Sequence, residues 1–409
     1  MGRDRARGSA DPTIARAILD GVRDDPTAEG TTGTLTTDVI AARHDALARL
    51  SDAEGVDVLL FFGNEAARHD IRYAADWTPG WDTYLVVRPG QRPMLLIPSP
   101  NHVPTAVAHA SEHVEVSWSG PDPVETIARL LTEGGGRARV GIIGPLPHRT
   151  WVGVAARLPD VELTDASAAF VRLRIVKDDV EIARARRAAR LCDLAVEELR
   201  TSVQPGMRDF ELGALLEHAY RRRGGEHGIC FLASGPMDGG GAVVPAQVWS
   251  DRTVAEGDVV MLELSVGVDG VTSQVLRSIA IGLPTPDVTR LHGVADEAFA
   301  ALREAARPGT PVRHLLEVAG LIDRAGMTVV DDVVHGYGGG YLPPVLRTPA
   351  TQRRPVPELD LEVGMFLVIQ PNVVSEDGRL GVQTGELVVV TEHGAERIHT
   401  LPTGLLAAG

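Results

Sequence analysis

A series of four short apolar segments in the first half of the chain constrains its fold more than any other feature. Each segment has the length and hydrophobicity of a buried β-strand, and stretches with helical periodicity lie among them. The apolar segments occupy residues 56–62, 83–87, 93–97 and 140–144. The helical stretches occupy residues 39–50, 122–133 and 149–157. Strands that alternate with helices of this length predict an α/β layer domain.

A long amphipathic helix is predicted directly after this unit, which we expect to close near Ser167. Acidic residues at 178, 179 and 181 lie at the start of the helix, where the helix dipole favours negative charge. Its apolar residues recur every three or four positions and form one stripe, made of Ile182, Ala185, Ala189, Cys192, Val196 and Leu199. Cys192 is therefore predicted to pack in the core rather than to react.

The remainder of the chain mixes helices and strands in two successive halves. Helices are predicted at about 209–223, 285–306 and 313–325, and strands at 258–266, 271–282, 365–371 and 386–391. This order predicts an α+β fold with curved, largely antiparallel sheets. We therefore divide the chain into a disordered tail (1–33), a smaller α/β domain (34–167) and a larger C-terminal domain (168–409).

The composition argues against several classes of function. The net charge is -15, whereas binding to nucleic-acid phosphates requires clustered Lys and Arg. No apolar run approaches the roughly 20 residues that span a bilayer, and the N-terminal residues lack the apolar core of a secretory signal. The two cysteines, Cys192 and Cys230, cannot form a disulfide framework. These features predict a cytoplasmic protein that binds neither nucleic acid nor membranes.

Six segments follow one another in the order found in a single enzyme family. They are RLRIVKDDVEIARARRAARLCDLAVEEL (172–199), SVQPGMRDFEL (202–212), EGDVVMLELSVGVDGVTSQVLRSIAIG (256–282), HGYGGGY (335–341), LEVGMFLVIQPNVV (361–374) and GVQTGELVVVTEHG (381–394). Together they resemble the creatinase, aminopeptidase P and prolidase family. The resemblance implies a pita-bread C-terminal domain of curved antiparallel sheets with covering helices. It also implies a homodimer in which the N-terminal domain of one subunit reaches the site of its partner.

Most carboxylates that would bind metal in this family are replaced in this chain. Metal-using members hold two divalent cations with two Asp, one His and two Glu, whose anionic oxygens offset the repulsion between the cations. By resemblance those five positions fall at Glu263, Gln274, His335, Gln370 and Gly385, with Glu386 beside the last. We therefore expect no dinuclear metal centre and no cofactor. A single ion held by Glu263, His335 and Glu386 is the alternative.

The residues at these positions are candidates for catalysis and for substrate binding. His335 is predicted to act as general acid or base, and Glu263 to orient it or to bind a substrate amine. The alternatives are an inert structural histidine and a strand carboxylate paired with Arg277. Gln274 and Gln370 are predicted to line a re-purposed polar pocket, because buried amides are costly unless they are hydrogen-bonded. A decayed metal site is the alternative for the two amides.

Two further groups of residues are predicted to bind substrate. Glu386, Tyr337 and Tyr341 are predicted to line the same pocket, with plain packing as an equal alternative for the tyrosines. The segment RYAADWTPGWDTY (72–84) occupies the place where relatives present substrate-facing groups, and a dimer surface is its alternative role. The predicted binding residues of that segment are Arg72, Trp77 and Trp81.

The resemblance and the replaced ligands together favour a metal-independent enzyme of the creatinase type. Its substrate would be a small, polar, amino-acid-like molecule, and hydrolysis of a C–N bond is the default reaction, with elimination or rearrangement left open. Creatine itself is disfavoured, because creatinase's catalytic histidine falls near Ala246 and its substrate-binding glutamate falls at Gln370. The alternatives are a non-catalytic pita-bread binding module and a divergent metal-dependent Xaa-Pro peptidase.

Overall fold

The computed structural model describes residues 37–133 and 138–409 of the chain. The predicted tail (1–33) lies outside these residues. Within them, no helix combines the length and the apolar character that crossing a membrane requires. The elements fall into two groups, each built around its own β-sheet, and a pair of consecutive helices connects the two groups.

The first sheet has six strands in the order β4-β3-β2-β1-β5-β6. The strands are β1 (Val58–Gly63), β2 (Thr83–Val87), β3 (Met94–Ile97), β4 (Glu115–Trp118), β5 (Arg139–Ile143) and β6 (Glu162–Asp165). β1 and β2 are buried along their whole length, because helices cover both faces of the sheet. Four of the six strands coincide with the apolar segments predicted from the sequence.

Six helices surround or leave this sheet. They are α1 (Thr37–Glu54), α2 (His69–Ala75), α3 (Val103–His109), α4 (Pro123–Thr132), α5 (His148–Arg157) and α6 (Ser167–Ile175), with a short 3-10 turn at Pro100–His102. Phe61 and Phe170 meet edge to face with ring centroids 5.1 Å apart, which ties β1 to α6. The helix α2 was not predicted, since seven residues show too little periodicity to reveal a helix.

The predicted amphipathic helix forms α7 (Asp179–Ser202). Asp178 caps its N-terminus in a capping box with Glu181, and Arg43 of α1 pairs with Asp178 through Nη2 and Oδ2 at 2.7 Å. Cys192 lies fully buried on the apolar stripe, as predicted, and burial raises the pKa of its thiol. The capped start of α7 is thereby fixed against the first group of elements.

The second sheet follows the path β11-β10-β12-β15-β9-β8-β7, with β16 paired to β15 and β17 to β9. Its strands are β7 (Glu226–Pro236), β8 (Asp258–Val268), β9 (Val271–Ala280), β10 (Val334–Tyr337), β11 (Tyr341–Leu346), β12 (Phe366–Ile369), β15 (Gly385–Thr391), β16 (Gly394–Arg397) and β17 (Leu406–Ala407). All pairs along the path are antiparallel. The predicted α+β class with a largely antiparallel sheet is confirmed.

Three helices and a small separate sheet complete this group. They are α8 (Asp209–Arg221), α9 (Pro286–Ala305) and α10 (Val312–Arg324), with β13 (Asn372–Val374) paired to β14 (Gly381–Gln383). The apolar residues of α7 and α8 pack on one side of β7, β8 and β9, and those of α9 and α10 form a second core with β10 and β12. Both faces of the sheet are therefore largely covered.

The glycine-rich segment HGYGGGY forms a β-hairpin rather than a simple loop. β10 and β11 are its arms, and residues 338–340 connect them. β11 contains Pro343 and Pro344, joined by a cis peptide bond, and it lies at the edge of the sheet. Proline cannot donate a ladder hydrogen bond and is tolerated only at an edge, which is why β11 was not predicted from the sequence.

Candidate functional site

The second sheet gathers four polar side chains predicted from the sequence on one buried face. Glu263 lies on β8, Gln274 on β9, His335 on β10, and Gln370 directly after β12. Cross-strand partners share a face, and side chains alternate along a strand. Ser265 pairs with Gln274 and His335 with Val368. Ile369 and Val275 both pair with Glu386, so their neighbours share the opposite face, and all four predicted side chains lie on the same side. These four residues, all of them buried, are called the polar cluster.

Glu263 and Gln274 form the first contact of the polar cluster. The amide Nε2 of Gln274 donates a short hydrogen bond to Oε1 of Glu263. Burial, followed by the nearby negative charge of Asp331, raises the pKa of Glu263 to about 8. At neutral pH this carboxyl group therefore carries a proton, and it can act as a hydrogen-bond donor.

Gln274 presents a second polar atom to the cluster. Among the residues that the structure describes, its Oε1 is one of the buried oxygens without a hydrogen-bond partner. An unpaired buried acceptor costs on the order of 1–3 kcal/mol, so a donor that reaches it is favoured. The protonated carboxyl of Glu263 or an N–H group of a ligand can fill this role.

His335 and Gln370 form the second contact. The ring of His335 faces an oxygen on both sides, with Nδ1 3.0 Å from the carbonyl oxygen of Gly336 and Nε2 3.2 Å from Oε1 of Gln370. Burial lowers the pKa of His335, and a neutral imidazole has a single N–H group. Nε2 of Gln370 donates to the carbonyl oxygen of Asp332 at 3.3 Å, which keeps Oε1 turned towards the ring. Both nitrogens of His335 thus face oxygens of the protein, and its single N–H group donates to one of them.

Two tyrosines flank the polar cluster, in different ways. The ring of Tyr341 stacks on His335 with centroids 4.1 Å apart and an angle of 20° between the planes. Tyr341 is 48% exposed, so the polar cluster lies near solvent on the side of this ring. Tyr337 is buried, and its hydroxyl group donates to Oγ of Ser265 at 3.0 Å. Tyr341 is thus open to solvent on one side, whereas Tyr337 contacts the neighbouring strand β8.

Asp331 is a neighbour of the cluster that sequence reasoning missed. After burial, its charge is the largest influence that raises the pKa of both Glu263 and Tyr341. Its own pKa is raised by burial. The adjacent Asp332 is tied to Arg347, with Oδ1 and Nε 3.4 Å apart. The pair of acidic residues shortly before His335 was the signal in the sequence that could have revealed this contribution.

The comparisons with known proteins converge on one family. Residues 183–392, just over half of the chain, match the model of metallopeptidase family M24. The chain belongs to metallopeptidase family M24. Its relatives include the probable dipeptidase PepE of Mycobacterium tuberculosis, 27% identical over 290 residues that cover 70% of this chain and 74% of PepE. The Xaa-Pro dipeptidase of Pyrococcus furiosus is 28% identical over 230 residues, which cover 55% of this chain and 63% of that protein.

The fold agrees with this membership of family M24. The crystal structure of the X-Pro aminopeptidase from Thermotoga maritima superimposes with a TM-score of 0.77 at 21% identity. The match covers 89% of this chain and 99% of that one. The predicted pita-bread fold, with its smaller N-terminal domain, is thereby confirmed.

One residue predicted for the pocket of this M24 protein lies elsewhere. Glu386 was expected to line the pocket, but its carboxylate is held by two guanidinium groups, through Nη2 of Arg277 at 2.7 Å and Nη2 of Arg397 at 3.0 Å. Burial opposes ionisation of Glu386, but the hydrogen bond from Arg397 and the charge of Arg277 outweigh it and lower the pKa. The alternative partner proposed for Glu263 is also wrong, since Arg277 pairs with Glu386 instead.

The predicted N-terminal residues of this M24 protein do not join the polar cluster either. Arg72 pairs with Asp76, Nε to Oδ1 at 3.1 Å, and donates to the hydroxyl of Thr78. Trp77 and Trp81 line a separate cavity of about 190 Å³ beside β2 and β3. Trp81 is 73% exposed. These two aromatic residues therefore belong to the surface of the first group of elements.

The family name implies a metal centre, and the side chains of the polar cluster occupy the positions of its ligands. Within residues 37–133 and 138–409, no three His, Cys, Asp or Glu side chains are grouped so that they can hold a metal ion. Two of the five positions carried over by resemblance hold neutral amides, Gln274 and Gln370. This face of the sheet therefore offers fewer anionic oxygens than two divalent cations require.

Proposed function

We propose that this M24 protein hydrolyses the C–N bond of a small, polar, amino-acid-like amide of about dipeptide size. Glu263 acts in this proposal as the general acid and base, and no pair of metal ions takes part. The observation that carries the proposal is the buried carboxyl of Glu263, whose pKa of about 8 lies close to working pH. Proton transfer is most effective when the pKa of the catalytic group lies near that pH.

Amide hydrolysis needs two proton transfers, and one carboxyl group can perform both. The ionised form of Glu263 takes a proton from a water molecule as the water oxygen bonds to the substrate carbonyl carbon. The protonated form then gives that proton to the departing nitrogen as the C–N bond breaks. Near pH 8 both forms are populated, so neither transfer requires a rare state.

The remaining residues of the polar cluster orient the substrate and the catalytic carboxyl. Gln274 holds Glu263 through Nε2, and its unpaired Oε1 is a ready acceptor for a substrate N–H group. Tyr341 offers its half-exposed ring as a packing surface. The ring of His335 stacks on Tyr341, and Gln370 faces Nε2 of His335, so these two residues hold Tyr341 in place. They do not transfer protons in this proposal, because both nitrogens of His335 already face protein oxygens.

Two features support a reaction without a dinuclear metal centre. Gln274 and Gln370 carry no charge, and amide oxygens bind divalent cations less strongly than carboxylates. Glu386, which would have been the second anionic ligand beside Glu263, is neutralised by Arg277 and Arg397. The names of the relatives, a probable dipeptidase and an Xaa-Pro dipeptidase, support a dipeptide-sized substrate.

A panel of dipeptides, with and without proline in the second position, tests the proposal. The protein is dialysed against a chelator, its metal content is measured by elemental mass spectrometry, and hydrolysis is followed by the release of free amino acid. We expect turnover by the metal-free protein and its loss in Glu263→Gln, with Glu392→Gln, an exposed residue, as the matched control. Activity that appears only after Mn²⁺ or Zn²⁺ is added favours the metal-dependent Xaa-Pro peptidase instead.

Turnover of no dipeptide under any condition, combined with tight binding of one, favours a non-catalytic binding module. One observation lends weight to this second candidate. The polar cluster is buried, and His335 is engaged on both sides by the protein. Isothermal titration with the same dipeptides separates binding from catalysis.

We also propose the organisation expected from the sequence, namely a division near residues 167 and 168, a homodimer and a cytoplasmic location. The two separate sheets support the division, since the first ends at Asp165 and the second begins at Glu226. The exposed Trp81, which lines one cavity with Trp77, supports a subunit contact, because aromatic residues are enriched in protein interfaces. Light scattering of the wild type and of Trp81→Ala tests the homodimer.

A further inference from the structure

His69 belongs to α2 in the first group of elements, yet it lies against a turn of the second sheet. Its ring packs on Gly339 in residues 338–340, which join β10 to β11 and are called the glycine turn. Gly339 has a φ of +90°, and a Cβ atom there would lie 2.0 Å from Nδ1 and Cε1 of His69. The ring therefore occupies the space that any side chain at position 339 would fill.

The same ring contacts a second turn of the sheet. Nδ1 of His69 lies 3.3 Å from the carbonyl oxygen of Gly270, in the turn that joins β8 to β9. Burial and the charges of Arg174 and Arg68 lower the pKa of His69 to about 3. The ring is thus neutral at working pH, and its Nδ1–H donates to the Gly270 carbonyl.

A neighbouring interaction, made by Arg174 of α6 together with Asp70 of α2, also fixes the glycine turn. The buried guanidinium of Arg174 donates to the carbonyl oxygen of Gly338 at 2.7 Å and to Oδ1 of Asp70, also at 2.7 Å. Asp70 follows His69 in the chain. His69 therefore contacts Gly339 directly, and the next residue of α2, Asp70, holds Gly338 through Arg174.

Both contacted turns lead directly into the polar cluster. Tyr341 follows the glycine turn, pairs with Tyr337 across the hairpin and stacks on His335. The other turn connects the strands that carry Glu263 and Gln274. A displacement of either turn changes how far Tyr341 lies from Glu263, and these are the two groups that the proposed reaction places around the substrate.

We propose that His69 is a positioning residue of the polar cluster. By joining the glycine turn to the turn at Gly270, it sets the placement of Tyr341 relative to Glu263 without contacting the substrate. The proposal rests on the proposed function, because it concerns the same site. Its effect on Tyr341 can nevertheless be measured without any substrate.

Fluorine NMR of protein labelled with fluorotyrosine provides that measurement. The chain has 5 Tyr, and Tyr341→Phe identifies the signal of Tyr341. In His69→Ala and in His69→Asn we expect this signal to move and broaden, while the signal of Tyr84 in the first sheet stays in place. His109→Ala, an exposed histidine of α3, is the matched control and leaves all signals unchanged.

A double-mutant cycle isolates the contact between the ring and the glycine. Gly339→Ala displaces the His69 ring in the wild type but meets no ring in the His69→Ala background. We therefore expect the change in the Tyr341 signal caused by Gly339→Ala to be smaller in that background. The strain of placing alanine at a φ of +90° is present in both backgrounds and cancels from the comparison.

An unchanged Tyr341 signal in folded His69→Ala or His69→Asn overturns the proposal, and so does strict additivity in the cycle. If His69→Ala does not fold, His69→Asn and Gly339→Ala alone decide the matter. With a dipeptide turned over by the wild type, kcat is expected to fall about tenfold to a hundredfold, with a smaller change in KM. Failure to find any substrate contradicts the proposed function but leaves the NMR result intact.

Discussion

Glu386 lies directly opposite Val275 across β15 and β9, and this pairing places it on the face of the sheet that Gln274 does not occupy. Residues that pair across strands point to the same side, whereas Gln274 and Val275 are neighbours and point to opposite sides. Glu386 is therefore a component of a buried ion cluster with Arg277 and Arg397. Its role is structural.

Replacing Glu386 by Gln is expected to destabilise the protein strongly. Arg277 is completely buried, so removing its anionic partner leaves a charge without compensation at a cost of about 3 kcal/mol or more. Urea denaturation measures the free energy of unfolding. Glu396→Gln, which removes an exposed partner of Arg186, is the control and should cost less than about 1 kcal/mol. A stable Glu386→Gln variant without activity contradicts this assignment.

The raised pKa of Glu263 makes the stability of the fold depend on pH. The folded protein holds the proton up to about pH 8, whereas the unfolded chain releases it near 4.5. Between these two pH values the folded state binds more protons than the unfolded chain. The contribution of the Glu263 proton to the free energy of unfolding is therefore fully present below pH 4.5 and is lost as pH rises towards 8. Glu263→Gln lacks this titration.

The stability difference between Glu263→Gln and the wild type is therefore expected to grow in favour of the variant from about pH 5 to pH 8. Urea unfolding at a series of pH values measures it, and Glu392→Gln provides the baseline. A difference that stays constant across this range means that Glu263 titrates at its ordinary pKa.

Asp331 is expected to control the proton affinity of Glu263. Its negative charge raises the pKa of Glu263, so Asp331→Asn should lower that pKa. Difference infrared spectroscopy of the carboxylic-acid C=O stretch during a pH titration follows the group directly. Asp251→Asn, at an exposed position, should leave the titration unchanged. If the signal of Glu263 does not respond to Asp331→Asn, the two groups are not coupled.

Restoring carboxylates is expected to restore metal binding. The double variant Gln274→Asp, Gln370→Glu returns to this face two of the anionic ligands that the resemblance assigns to metal-using members. After dialysis with Mn²⁺, elemental mass spectrometry should find metal in the double variant and only traces in the wild type. One or two equivalents in the wild type would contradict the metal-independent proposal and make Xaa-Pro peptides the first substrates to examine.

The sequence predicted the elements that have strong periodicity, and it placed Gln274 on a strand and Gln370 at the end of another, which stops at Ile369. It misplaced Glu386, because the resemblance alone did not establish which way that strand residue points, and a shift of one residue reverses the face. It missed the influence of Asp331 on Glu263 and the contact of His69 with Gly270, since both join segments far apart in the chain. It also missed β11, whose two prolines argue against a strand except at a sheet edge.

Gln274, Gln370 and the protonated Glu263 together determine the net charge of this face of the sheet. A face with four carboxylates is strongly anionic and depends on bound cations to balance it. Gln274 and Gln370 are uncharged, and a proton neutralises Glu263 at neutral pH. These three positions thus carry no net charge at neutral pH, and deprotonation of Glu263 above about pH 8 changes that charge by one unit. Under the proposed function, a single proton on Glu263 takes the place of bound cations in setting the charge of these three positions.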